Sequence, residues 1–118
     1  MRHRVAGRKL DLPTDQRLAL LRGLVKSLVE HEKIETTETR AKEARRIFDK
    51  MVTTAKEGTL HARRQVRRVL DDEDLVKKMF DQIVPKLADR SGGYTRITRI
   101  GFRQGDAAPL VKLEITAE

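Results

Sequence analysis

The sequence predicts an α+β fold, with helices packed on a small, mainly antiparallel sheet behind a basic N-terminal arm. Three observations carry that prediction. Apolar residues recur at helical spacing from Leu18 to Leu87, and β-branched, period-two segments follow them. Helical runs first and strands afterwards is the order of an α+β domain, not of an alternating α/β one. At 118 residues, 38% of them hydrophobic, the chain is sized for one modest core.

Residues 1–12 read as the arm and residues 13–118 as a single domain. The arm carries Arg2, His3, Arg4, Arg8 and Lys9, with no acid in its first ten residues. With little apolar surface of its own, such a segment takes its order from a polyanionic partner.

The first helix is expected beyond Pro13, with Thr14 as N-cap and Asp15 in the first turn. Leu18, Leu21, Val25 and Leu28 repeat at helical spacing, and Leu20, Leu24 and Val29 widen that face. A largely buried helix follows, with Arg22, Lys26 and Glu30 as a narrow polar stripe. The Lys33–Thr37 stretch has extended character and is a candidate third strand, with Thr37 placed to cap the next helix. Ala41, Ala44, Ile47, Phe48, Met51, Val52 and Ala55 then form an amphipathic stripe that Gly58 ends. Core packing accounts for the spacing of Phe48 and Met51 without any cofactor.

Residues 60–70 read as a shorter helix on which Arg63, Arg64, Arg67 and Arg68 span roughly 140° of the wheel. That cluster is either a solvated face or a second phosphate-contacting surface. Asp71 to Asp74 opens another helix, where carboxylates answer the unpaired amides better than they would hold a magnesium ion. Leu75, Val76, Met79, Phe80, Ile83 and Leu87 supply its apolar face, and Pro85 is expected to kink it or end its regular part. Residues 94–102 and 111–115 read as a strand pair, with Gly105, Asp106 and Pro109 in the connection.

Charge narrows the function classes. Lys and Arg number 26 against 18 Asp and Glu, a net charge of +8 and an isoelectric point near 10.2. Such a balance favours a polyanion, nucleic acid before an anionic membrane surface. The absence of cysteine excludes disulfides, zinc-thiolate sites and cysteine nucleophiles. The longest apolar run, Leu18 to Val29, is broken by Arg22 and Lys26 and is too short to span a bilayer. His3, His31 and His61 are scattered, and no nucleophile elbow, zinc-protease motif or nucleotide-binding P-loop is present. Nothing in the spacing asks for catalysis, a metal or a cofactor.

The most informative local feature is the basic, glycine-punctuated run Arg90-Ser91-Gly92-Gly93-Tyr94-Thr95-Arg96-Ile97. Gly92 and Gly93 admit close approach or positive φ. Arg90 and Arg96, with Arg99 and Arg103 beyond, offer guanidinium forks for phosphate. Tyr94, the only tyrosine, offers a face on which a base could stack. The competing reading is an ordinary turn into a strand with a half-buried tyrosine. Because aromatics make up only 3% of the chain, phosphate contact should carry most of any affinity. The residues leave open a free-standing basic nucleic-acid-binding protein and an adaptor that docks partners on apolar helix faces.

Several stretches resemble the bacterial large-subunit ribosomal protein seventeen family. They are His31-Glu32-Lys33-Ile34-Glu35-Thr36-Thr37 with Arg40-Ala41-Lys42-Glu43, and the opening Met1-Arg2-His3-Arg4 with Gly7-Arg8. The glycine run and Gly101-Phe102-Arg103-x-Gly105-Asp106-x-Ala108-Pro109 complete the match, which runs almost end to end. Two positions depart from the family pattern: Gln16 stands where members often carry His, and Gly23 where they often carry Asn. The resemblance implies a compact α+β domain in the cytoplasmic large ribosomal subunit, near the polypeptide exit region. It also implies binding to large-subunit (23S-type) rRNA beside neighbouring large-subunit proteins, without catalysis. The RNA-facing residues it implies are the arm's Arg2, His3, Arg4, Arg8 and Lys9, the Arg90–Arg96 loop, Arg99 and Arg103.

Overall fold

The computed structural model describes residues 14–116. Four helical segments cover one face of a three-stranded antiparallel sheet, as the sequence predicts. The arm residues lie outside the described residues.

Helix α1 (Thr14–His31) buries Leu21, Val25, Leu28 and Val29. Its first turns do not match the expected burial: Leu18 is 41% exposed and Leu20 only half-buried. Among the described residues, the helix enters the core only from Leu21 onward. It ends on Glu32, which takes a left-handed φ of 63° and returns its N–H to Leu28 O at 2.7 Å. Lys78 caps the same end, donating to the Glu30 carbonyl at 2.6 Å. Strand β1 (Lys33–Thr37) follows immediately.

Helix α2 (Glu38–Ala55) buries the predicted stripe of Ala41, Ala44, Phe48, Met51, Val52 and Ala55, with Ile47 packed at its margin. Thr37 does stand at the N-cap position, in extended geometry, but its hydroxyl makes no capping bond. Helix α3 (Leu60–Leu70) is capped by Thr59, whose Oγ1 accepts from Ala62 N at 3.0 Å.

The Asp71–Asp74 run divides its work. Asp71 closes α3 in the left-handed region, its N–H reaching Arg67 O at 2.8 Å. Asp72 caps the next helix, accepting from Asp74 N at 2.9 Å and Leu75 N at 3.4 Å. That helix is composite: α4 (Glu73–Lys78), a π-turn over Met79–Ile83, and α5 (Val84–Leu87). The regular part ends ahead of Pro85, as expected, but the helix does not stop there. In the π-turn, Val84 N–H bonds to Met79 O, five residues back. Proline has no N–H for the ladder and its ring crowds the preceding turn. The widened turn lets the chain continue past it with Met79, Ile83 and Leu87 all buried.

Strand β2 (Thr95–Phe102) and strand β3 (Pro109–Ile115) form a hairpin, and β3 also pairs with β1, so the order is β1-β3-β2. Pro109 belongs to the strand rather than to the connection; it opens β3 opposite Phe102, where a missing N–H is tolerated. Val111, Leu113 and Ile115 face the helices and are buried. Lys33, Glu35, Lys112, Glu114 and Arg96 occupy registers on the opposite, helix-free face.

Two substitutions test these local assignments with opposite signs. Gly23 sits mid-helix on the exposed side of α1, and a Cβ there meets nothing within 4 Å. Gly23→Ala should raise the unfolding free energy by about 0.5–1 kcal/mol. Asp72→Ala should lower it by about 0.5–2 kcal/mol through loss of the cap. Urea denaturation of each purified variant reads both.

Candidate nucleic-acid interface

The glycine run is a pinned loop. Gly93 takes a φ of 64°, which turns the chain into β2, whereas Gly92 has no positive φ. Thr116, just past β3, holds the loop from one side: its N–H bonds to Tyr94 O at 3.0 Å and its hydroxyl to Gly93 O at 3.1 Å. Arg90 reaches the Thr116 carbonyl at 3.5 Å. From the other side, Lys56 at the end of α2 donates to the Arg90 carbonyl and lies 3.2 Å from the Tyr94 hydroxyl.

Tyr94 corrects the expectation of a stacking platform. Only 2% exposed, it is among the largest buried side chains, and it packs in the central cluster with Phe48, Val52 and Ile115. The Lys56 ammonium sits 4.9 Å from the ring centroid. Hydrogen bonding from Thr53, with Lys56 beside it, holds the phenol below its ordinary range. No face of this ring is open to a base. Thr95 is buried as well and presents no hydroxyl to solvent.

The arginines of β2 and of the turn after it do reach solvent, and each is held by a carboxylate. Arg96 meets Glu114 at 2.9 Å across the strand pair, and Arg99 meets Glu38 at 2.8 Å from the start of α2. Arg103 pairs with Asp106 within the hairpin turn, its Nε 3.1 Å from Oδ1. The carboxylates respond. Arg96 holds Glu114 below its usual range, and Lys42 together with Arg99 does the same to Glu38. Arg103, helped by the Ala108 amide, lowers Asp106 to about 2. These pairs are exposed and add little stability. Their effect is to fix where each guanidinium points.

On α3 the four arginines divide. Arg63 and Arg67 turn to Glu73, at 3.7 and 3.0 Å, and Arg63 also lies over the Phe80 ring at 5.3 Å. Arg64 and Arg68 face outward and make no ion pair with any described residue. Among the described residues, then, two of the four arginines on this helix are left without an ion-pair partner. Arg2, His3, Arg4, Arg8 and Lys9 lie outside the described residues.

Sequence reasoning missed Lys56 and the holding carboxylates Glu38 and Glu114. The Arg103–Asp106 spacing of three residues was a readable signal; pairs that join distant segments were not. Among the described residues, no cluster of His, Asp and Glu is placed to hold a metal ion. Nor is any helix there long and apolar enough to cross a membrane.

Fold and surface together define a small basic α+β domain that displays oriented arginines around a closed core. The sequence model described as Ribosomal protein L17 matches residues 20–116. The large ribosomal subunit protein bL17 of Clostridium perfringens strain 13 is 58% identical over 108 residues, 92% of this chain and 96% of that one. The protein of the same name from Clostridium botulinum strain Hall is also 58% identical, with the same coverage. This chain belongs to the ribosomal protein L17 family, a family of ribosomal proteins and not of enzymes.

Two measurements check the geometry. Tyr94→Ala should cost about 3–5 kcal/mol of stability, as loss of a buried ring does, while Tyr94→Phe should cost about 1 kcal/mol. Urea unfolding separates the two. Asp106 has a folded value of about 2 against an ordinary 3.8. Its pairing with Arg103 should therefore be complete above the ordinary value and lost as pH falls through about 2. A carbon-detected NMR titration should place the midpoint there, and Arg103→Ala should return it toward the ordinary range.

Proposed function

We propose that this protein is a non-catalytic constituent of the bacterial large ribosomal subunit, bound to its 23S-type rRNA in the cytoplasm beside neighbouring subunit proteins. The observation that carries the reading is 58% identity, over almost the whole chain, to proteins named for that subunit. The binding mechanism is electrostatic and geometric. Arg90, Arg96, Arg99 and Arg103 receive phosphates along the loop and β2, and Arg64 and Arg68 do so on α3. The arm, residues 1–12, adds Arg2, His3, Arg4, Arg8 and Lys9. Gly92 and Gly93 leave room for the RNA backbone, with nothing within 4 Å of either Cβ position. Tyr94 and Thr95 contribute by shaping the loop from within.

In this reading the carboxylates act as placeholders. A phosphate takes over the guanidinium that Glu38, Glu114 or Asp106 holds in the free protein, so the fork is already oriented when RNA arrives. Neutralised phosphates release counterions, and a folded scaffold that spaces the cations reads RNA shape rather than a linear sequence.

Sucrose-gradient sedimentation of a lysate at moderate and high salt tests the assignment. The chain should track the large subunit near stoichiometry and survive the salt wash. Recovery at the top of the gradient would replace the ribosomal reading with a free-standing nucleic-acid-binding protein. For the purified protein and RNA, log K should fall against log salt with a slope near −4 to −5, for about six phosphate contacts. A flat salt response would instead mark an adaptor held by apolar burial.

A further inference from the structure

The chain has four aromatic side chains in all, three phenylalanines and one tyrosine. Phe48 and Tyr94 are buried in the core, and Phe80 is half-buried beneath the Arg63 guanidinium. Phe102 is the exception. It is 64% exposed at the end of β2, with Ile100 beside it at 46%.

We infer that Phe102 is the base-stacking residue of this protein, taking one unpaired RNA base on its ring while the flanking arginines receive the adjoining phosphates. The inference rests on the RNA-binding reading above and supplies the aromatic contact that Tyr94 does not.

Charge favours RNA over an apolar protein pocket. Residues 95–109 carry Arg96, Arg99 and Arg103 against the single acid Asp106. Arg103 follows the ring directly in sequence, and Arg99 lies three residues before it. Size argues the same way. The exposed apolar surface here is one ring and one isoleucine, far below the roughly 1,200 Å² at which stable protein interfaces begin. One ring is what one base needs.

The ring is also pre-positioned. A bulge between Arg99 and Gly101 swings the end of β2, and Phe102 pairs across to Pro109. The turn beyond is closed by Arg103 N to Ala108 O at 2.8 Å and Ala107 N to Arg103 O at 3.0 Å. Asp106 accepts from Ala108 N at 3.2 Å while it holds Arg103. Gly101, at φ 151°, has nothing within 4 Å of its Cβ position, so the space beside the ring is open. Little order has to be created when a base arrives.

Phe102→Trp tests this directly, because it installs the only tryptophan in the chain. Emission should be quenched on titration with a short stem-loop RNA bearing unpaired loop bases, and much less by a blunt duplex of the same stem. Phe102→Ala should weaken stem-loop binding roughly 5- to 150-fold with the salt slope unchanged. Arg103→Ala should instead reduce that slope by about one. Circular dichroism confirms that each variant is folded. Unquenched emission, or a Phe102→Ala variant that binds the stem-loop like the parent, would overturn the stacking role. So would full RNA affinity combined with loss from the large subunit in gradients, since the ring would then sit against a protein. Failure of the parent protein to bind either RNA would sink the RNA-binding reading itself, an outcome distinct from these.

Discussion

Among the described residues, strand β3 is the only partner that either β1 or β2 has, and it comes last of the three in chain order. Its inward residues, Val111, Leu113 and Ile115, meet the α2 stripe built on Ala44, Phe48 and Val52 in one apolar cluster. Without that strand, β1 and β2 are isolated extended segments, and the helices have no sheet to cover. The pairing of Lys33 with Glu114 spans most of the sequence, so loop-closure entropy opposes it until the helical layer is compact. The same strand reaches beyond the sheet. Ile115 N bonds to Glu32 O at 3.0 Å, just past α1, and Thr116 holds the glycine loop. Core closure and presentation of the basic surface therefore depend on one insertion.

A net charge of +8 would scatter flexible cations over the surface if nothing ordered them. Here Arg96 and Arg99 of β2, and Arg103 just beyond it, are oriented by Glu114, Glu38 and Asp106. Arg63 and Arg67 share Glu73. Lys78 and Lys86 converge on Glu32, tying the end of α1 to the composite fourth helix. The 18 acids are thus not a dilution of a basic protein. Many of them set where the basic groups stand, and a guanidinium held in place loses less side-chain freedom on meeting a phosphate.

Some helix ends and breaks were legible because their causes are local: the Asp71–Asp74 run opens a helix as expected, whereas the expected cap Thr37 makes no capping bond and Thr59 was not singled out. Thr59 and Asp72 cap the helices they precede, since a side-chain oxygen two or three residues from a free amide needs only helix geometry to reach it. Pro85 announced its disturbance for an equally local reason. What followed was less local. The chain absorbed the proline in a π-turn instead of stopping, because Leu87 beyond it still has a place in the core. A tertiary contact decided that the helix would resume.

By itself the sequence determined the fold class, the strand faces of residues 111–115 and the helical stripe of α2, because hydrophobic periodicity matches backbone periodicity wherever one face is covered. It also determined the basic character of the surface and, through its motifs, the family. The tertiary structure decided which aromatic is inside. Tyr94 and Phe102 flank the same β-branched segment beside arginines, and nothing local separates them. Tyr94 lies where α2 covers the sheet, with Lys56 over its ring, while Phe102 lies at the far end of β2, past a bulge and beyond that cover. Burial depends on where a neighbouring layer ends, and that boundary is set by the packing of distant segments rather than by the residues of the strand.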